Sequence, residues 1–455
     1  MKGLTLEKIK NACGGEFYGN EKVLGCEVSS IVTDSRKVIK DSLFAAVCGQ
    51  RVDGHDFMDK CFESGALCAL CEKLPEKKCF EGTEKSYILV SSTLEALKKI
   101  AEYYRGMFDI PVIAVTGSVG KTSTKEMIYS VLSQRFDVHK TQGNFNNELG
   151  VPLTLFELRE HHQAAVIETG ISDFGEMTRL AKMVRPTACV ITNIGTCHLE
   201  NLKDRDGVFK AKTEIFDYVD KNGAVFLCGD DDKLNRVKDV HGIKPVFFGL
   251  ADNNDFRAVN AETLGIEGMK CTLCFDGKSY DVKIPAIGTH NAINAAAAAA
   301  VGKYLKMDDS DIIRGIESFK NVGSRSNIIK TGKITVIDDC YNANPMSVKA
   351  ALDALSGVST RKTAILGDMK ELGENECALH SEIGRYASDK NIDLVIAVGP
   401  LAKNISQSCE KSVWFETVEQ FLESVCDYIK DGDTVLVKAS HSMCFDKITE
   451  KLKSL

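Results

Sequence analysis

No apolar run in the 455-residue chain approaches the roughly 20 residues that a bilayer-crossing helix needs, which excludes a helical membrane protein. The opening stretch MKGLTLEKIKNACGG alternates charged with apolar residues and has no apolar block of the signal-peptide kind, so a cytoplasmic location without membrane insertion is expected. Positive charge is not in excess: 57 Lys and Arg stand against 64 Asp and Glu, a net charge of −7. No overall positive field would offset a phosphate backbone, so a general nucleic-acid binder is excluded, while a local basic patch for a small anion stays open. Proline is scarce, with 8 residues, and no internal repeat interrupts the pattern.

What is present is the composition of a globular protein, 44% hydrophobic and 27% charged. The length favours two to four domains of about 100–200 residues, with three the first expectation. Cysteine is plentiful at 17, and without a signal peptide this suggests a reducing compartment, where the thiol behaves as a small hydrophobe. Two Cys-x-x-Cys pairs, Cys68/Cys71 and Cys271/Cys274, fall in short apolar runs that read as strands. Residues three apart on a strand point to opposite faces, so neither pair is expected to hold zinc or to form a redox centre.

From residue 112 onward, apolar strands alternate with helical stretches, the pattern of a parallel α/β sheet. VIAVTG, Ala164–Gly170, Ala188–Gly195 and Gly223–Asp230 each run into polar residues, among them Glu168, Asn193 with His198 beyond it, and Asp230. Carboxyl ends of strands form the ligand crevice of open α/β sheets, so these residues are expected to line it. ITVIDDCYNANP, TAILGDM, LVIAVG and TVLVKAS repeat the pattern after Val322 and predict a second, smaller doubly wound domain. Ahead of residue 92, SSIVTDS, SLFAAV, ALCALC and SYILV suggest a separate α/β module, and HNAIN followed by Ala295–Ala300 reads as a tightly packed helix.

The stretch VIAVTGSVGKTST has Val115 where the usual GxxxxGK[ST] phosphate loop places its first glycine. A strand, a turn through Gly117, Ser118, Val119 and Gly120, and a helix opening at Lys121 would aim backbone N–H groups and the positive helix end at phosphates. Lys121 is expected to reach the β- and γ-phosphates of a nucleotide, Thr122 to ligate Mg²⁺, and Ser123 to complete the loop. Glu168 and His198 follow successive strands, as Mg²⁺ ligands would. Lys210-Ala211-Lys212-Thr213-Glu214 taken alone is an ordinary charged helix face.

At this point the chain resembles the ATP-dependent Mur ligases of peptidoglycan synthesis, whose shortened loop TGxxGKT accounts for Val115. GNFNNELGVP (143–152), DDCYNANP (338–345) and LGDMKELG (366–373) resemble the member that adds a D-alanyl-D-alanine dipeptide. Asp34-Ser35-Arg36 and GQRVDGHDF (49–57) resemble the family's nucleotide-sugar-binding module. The resemblance implies an α/β protein of three domains. These are an N-terminal UDP-sugar-binding module at 1–92, a central P-loop parallel-sheet ATP-binding domain at 93–322, and a C-terminal Rossmann-like doubly wound domain at 323–455. It implies a monomer acting on two small molecules, UDP-MurNAc-tripeptide and D-alanyl-D-alanine, with ATP and Mg²⁺.

Residue by residue, the resemblance makes Lys212 the lysine that takes up CO₂ as a carbamate, sharing metal with Thr122, Glu168 and His198. A carbamate turns a cation into an anionic oxygen ligand suited to a hard ion. Lys121, Lys212, Glu168 and His198 are the implied catalytic set. Asn291 and Asn294 match the ATP-binding helix start, and Arg325 and Asp339 match positions that close on phosphates and ribose. Ser35, Arg36, Arg51, Asn144, Asn146, Asn147, Asn342 and Asn344 are implied substrate contacts. In two places the chain departs from the pattern. His441 stands where the family's Lys-Gly-Ser-Arg segment has arginine, and Ser324 is interposed before Arg325. A ligase adding a single amino acid, or one of the folylpolyglutamate synthase type, would share the catalytic set. A P-loop kinase or plain NTPase would leave Lys212 without a use, and a non-catalytic nucleotide sensor would not need Lys121 and Thr122 intact.

Overall fold

The computed structural model describes residues 1–49, 52–76, 84–321 and 323–455; Arg51 lies outside them. Its strands form three sheets of five, nine and six strands. The first sheet runs, in spatial order, Glu16–Tyr18, Tyr87–Leu89, Ala66–Cys71, Ser42–Ala45 and Ile31–Val32, parallel except for its first strand. Both faces of Ala66–Cys71 are covered, so its thiols part as the spacing predicts. Cys68 enters the large core beneath and Cys71 the cluster of Phe44, Met58 and Tyr87 on the other side.

The central sheet holds Val112–Thr116 third from one edge, flanked by Ala164–Glu168 and Ala188–Ile191, with Val138–Lys140 at that edge and Ala224–Cys228 and Val246–Gly249 beyond on the other side. These strands are parallel. Val112–Thr116, Ala164–Glu168, Ala188–Ile191 and most of Ala224–Cys228 are buried on both faces, which is why those four read as unbroken apolar runs. The sheet then continues into three longer strands, Phe256–Thr263, Met269–Phe275 and Lys278–Ile284, with Met269–Phe275 antiparallel to both of the others. Only one of these, MKCTLCFD, was legible as a strand. The others carry alternating burial over a half-exposed surface, and their polar half hides the apolar one.

The helix His290–Tyr304 buries Ala295–Ala300 completely or nearly so. Small side chains let it lie close to Lys121–Leu132, and Thr124 Oγ1 donates to Asn294 Oδ1 at 2.8 Å across the contact. Thr93–Arg105 packs Leu97, Ile100 and Tyr104 into one core with both the first and the central sheets. The third sheet, in order Asn327–Lys330, Thr335–Asp338, Thr434–Lys438, Lys362–Gly367, Leu394–Val398 and Ser412–Phe415, is parallel apart from its first strand. It has its own two apolar clusters, one on each face, and Ile287 of the central body reaches into one of them. Among the described residues no helix is long and apolar enough to cross a membrane.

Candidate active site

The turn after Val112–Thr116 is shaped by glycine. Gly117 has φ +148°, and a Cβ there would lie 1.9 Å from Thr192 Oγ1. Gly120, at φ +81°, precedes the helix Lys121–Leu132, whose start has no side-chain cap, so its N–H groups face outward. The residues after the next strand brace the loop. Val119 N donates to Asn193 Oδ1 at 3.0 Å, Thr192 Oγ1 to Val119 O at 2.6 Å, and Ser118 N to Asn193 O at 3.1 Å. Lys121 folds over the loop, its Nζ donating to Gly117 O at 2.8 Å, and burial draws its pKa below the ordinary lysine value.

Glu168 is 1% exposed at the end of its strand. Its Oε2 accepts from Thr122 Oγ1 at 2.8 Å, its Oε1 from Asn146 Nδ2 at 2.8 Å, and Lys125 Nζ lies 3.6 Å away. Burial opposes its ionisation, but the cations Lys125, Arg325 and Lys121 and the Asn146 bond outweigh that and keep its pKa below the ordinary carboxylate value. Lys125, one helical turn beyond Lys121 and fully buried, also donates to Thr141 O at 2.7 Å and pairs with Glu126 at 3.1 Å. Lys125→Met would leave buried carboxylates without that partner, and a loss of about 3–5 kcal/mol is expected in chemical unfolding.

Lys212 is 1% exposed on the helix Arg205–Thr213, not on an outer face. Burial lowers its pKa to about 8; nearby Cys197 opposes this and Lys121 adds to it. Cys197 Sγ lies 3.2 Å from Ser118 Oγ. His198, at φ +53°, places Nδ1 2.8 Å from Glu371 Oε2 of the C-terminal body. Burial and the cations Lys212 and Lys121 draw its pKa down against the pull of Glu371.

The C-terminal body forms the opposite wall. Asp339 Oδ1 accepts from Ser326 N at 3.0 Å and Oδ2 from buried Lys438 at 2.6 Å. The Arg325 guanidinium lies 4.0 Å from the Tyr341 ring centre, and that ring is 5.6 Å from His441. A cavity of about 740 Å³ opens between the two bodies. Its walls include Ser118, Val119, Gly120, Lys121, Ser123, Asn146, Asn147, Glu168, His198, Asn294, Arg325, Asp339, Asn342 and Asn344. Asn193 and Asp230 from the strand ends line it as well.

The other residues expected at the site lie elsewhere. Gly117, Thr122 and Lys212 are behind the cavity wall. Asn291, 2% exposed, donates to Ile287 O at 2.8 Å and accepts from Asn294. Asn144 is exposed on its loop. Ser35 and Arg36 form a short turn at the carboxyl edge of the first sheet, outside the cavity, where Arg36 pairs with Asp34 at 2.8 Å. Two wall asparagines also bond to backbone at helix starts: Asn147 Oδ1 accepts from Gly150 N at 2.8 Å, and Asn344 forms a capping box with Ser347.

Sequence reasoning missed Lys125, whose i, i+4 spacing from Lys121 was the available signal, and Glu371, which stood inside LGDMKELG without a role. A further group, Asp137, His161 and His162, brings one ligand atom each within 4.8 Å, away from the cavity. His162 Nδ1 there accepts the Arg159 N–H at 2.9 Å, which leaves its proton on Nε2 and unsuits it to a metal.

A phosphate loop, a buried carboxylate and amine, and an imidazole, faced across a cleft by a second doubly wound body, define the class of P-loop ligases built from three sheets. The sequence patterns of that class match along the chain: the Mur ligase family catalytic domain over residues 27–105, the Mur ligase middle domain over 115–302, and the Mur ligase glutamate ligase domain over 324–441. The UDP-N-acetylmuramoyl-tripeptide–D-alanyl-D-alanine ligase of Bacillus subtilis is 35% identical, over 98% of this chain and 96% of its own. A crystal structure of MurF from Acinetobacter baumannii matches with a TM-score of 0.92 at 31% identity, covering 99% of both chains. The MurF ligase of Thermotoga maritima in complex with ADP matches with a TM-score of 0.83 at 29% identity, over 93% of this chain and 97% of that one. The chain belongs to the Mur ligase family.

Proposed function

We propose that the protein joins D-alanyl-D-alanine to UDP-MurNAc-tripeptide with ATP, as a cytoplasmic monomer in peptidoglycan precursor synthesis. The observation that carries this reading is full-length similarity to relatives bearing that name, together with a site whose Lys121, Glu168 and His198 line one cavity with Lys212 buried behind it. The γ-phosphoryl group of ATP passes to the terminal carboxylate of the tripeptide, giving ADP and an acyl phosphate. The dipeptide amine then attacks the acyl carbon, phosphate leaves, and the pentapeptide forms. The loop N–H groups and Lys121 hold the phosphates and offset the charge that builds on the transferred group.

Thr122, Glu168 and His198 would hold a hard divalent cation, and Lys212 would add an anionic oxygen to the set if its neutral amine took up CO₂ and released a proton to form a carbamate. The pKa of about 8 supports that step, because CO₂ adds to the neutral amine, which burial makes far more abundant near neutral pH. When bound, Mg²⁺ would shield the charge of the phosphates. On this reading residues 1–92 hold the UDP sugar, 93–322 hold ATP, and 323–455 bring the dipeptide. Arg325 and Asp339 close on the nucleotide, and the wall asparagines at 146, 147, 342 and 344 face the amide-rich substrate.

Incubation with ATP, Mg²⁺, UDP-MurNAc-tripeptide and a panel of amines tests the assignment. Pentapeptide mass with D-alanyl-D-alanine, at a rate at least about tenfold above single amino acids, is expected. A preference for one amino acid would move the protein to a sister activity within the same family.

A further inference from the structure

The side chain that orients His198 comes from the other side of the cleft. His198 follows the strand Ala188–Ile191 and holds the left-handed conformation, with φ +53° and ψ 35°, ahead of the short helix Leu199–Leu202. Among the described residues the partner of its ring is Glu371, with Oε2 2.8 Å from Nδ1. Glu371, itself at φ +62°, follows the strand Lys362–Gly367.

The residues just before Glu371 are clamped to the C-terminal body. Buried Asp368 accepts from Ala402 N at 2.8 Å and pairs with Lys370 at 2.8 Å. Met369 N donates to His380 Nε2 at 2.9 Å, and Lys370 N to Ser440 Oγ at 2.9 Å. The loop is thus pinned by three successive residues, and the fourth reaches across the cleft. Non-glycine residues hold a left-handed backbone where the surroundings over-determine it, and such strain clusters at functional sites.

We propose that Glu371 is a positioning residue for the phosphoryl-transfer site, holding the His198 ring so that Nδ1 carries the proton and Nε2 keeps its lone pair for the divalent cation. This rests on the ligase reading, in which His198 faces that cation. An imidazole that ligates a metal through one nitrogen donates its other N–H to a carboxylate or carbonyl, which fixes tautomer and ring plane. Here the carboxylate belongs to a different body from the imidazole. The cation site is therefore complete only when the C-terminal body is seated on the central one, and closure over the substrates and assembly of the cation site become one event.

Mn²⁺ binding in the presence of ADP, followed by electron paramagnetic resonance on the full-length protein, tests this without turnover. Glu371→Ala is expected to weaken Mn²⁺ binding about 10- to 100-fold and to raise the Mg²⁺ needed for half-maximal pentapeptide formation by a similar factor. Glu371→Gln, whose carbonyl oxygen accepts the same Nδ1–H, should recover most of both. In a His198→Ala background the Glu371→Ala change should weaken Mn²⁺ binding no further. Unchanged Mn²⁺ binding in Glu371→Ala, equal losses in the alanine and glutamine variants, or a full loss added on top of His198→Ala would each overturn the assignment. Wild-type protein that binds Mn²⁺ and ADP but forms no pentapeptide would sink the ligase reading alone, because the binding measurement needs no acceptor.

Discussion

Lys121→Ala is expected to lower the rate of pentapeptide formation at least about a thousandfold while leaving the fold intact. Removing one preorganised donor to developing charge typically costs about 10²–10³ in rate, and in the proposed mechanism Lys121 is a full cation beside the transferred phosphoryl group. Structurally it contributes little. Its ammonium contacts carbonyls of its own loop, Gly117 O at 2.8 Å and Ser118 O at 3.4 Å, and the loop is braced independently by Thr192 and Asn193. Mass detection of ADP and pentapeptide, beside a melting curve, separates the two effects. Full activity in the alanine variant would remove Lys121 from the mechanism, whereas a collapse of the melting transition would assign it to the fold.

Lys212→Met should separate activity from stability in the opposite sense. Pentapeptide formation is expected to fall by a factor on the order of 10³, with partial recovery of the Lys212→Ala variant when a small carboxylate is supplied in the space of the lost side chain. Stability should rise. Burial holds the folded-state pKa at about 8 while the unfolded chain keeps the ordinary value of 10.5. Between those values the unfolded state binds more protons, so this residue's contribution grows as pH rises from 8 to 10.5 and is at its most unfavourable below 8. In CO₂-free buffer near neutral pH the methionine variant is therefore expected to gain on the order of 2–3 kcal/mol, measured by denaturant unfolding. The gain should shrink as pH approaches 10.5. A destabilised methionine variant would show that Lys212 has a stabilising partner, and full ligase activity would end its role in catalysis.

Such a trade between stability and activity is common where a site keeps a buried charge for its chemistry. VIAVTGSVGKTST is a local pattern: one strand, two glycines and a helix start fall within a dozen residues, so a phosphate loop is legible there although Thr192 and Asn193 brace it from another strand. The parallel strands were equally plain, because burial on both faces leaves unbroken apolar runs, as in Val112–Val115 and Ala164–Ile167. Edge strands such as Val138–Lys140 and Ser412–Phe415 are too short to leave a periodic trace. Asparagine is ambiguous for another reason. The same amide can face a substrate or hold backbone at a helix start, and Asn147 and Asn344 both bond to such backbone.

The phosphate loop and the alternation of apolar strands with helices can be read along the chain, because each depends on bonding within a short stretch of backbone. Packing brings Lys125 to Glu168, buries Lys212 away from solvent and sets Glu371 against His198. These pairings join residues far apart along the chain, some across two bodies with separate cores. Their geometry follows from how those bodies pack, and packing leaves no periodicity or motif in any one segment.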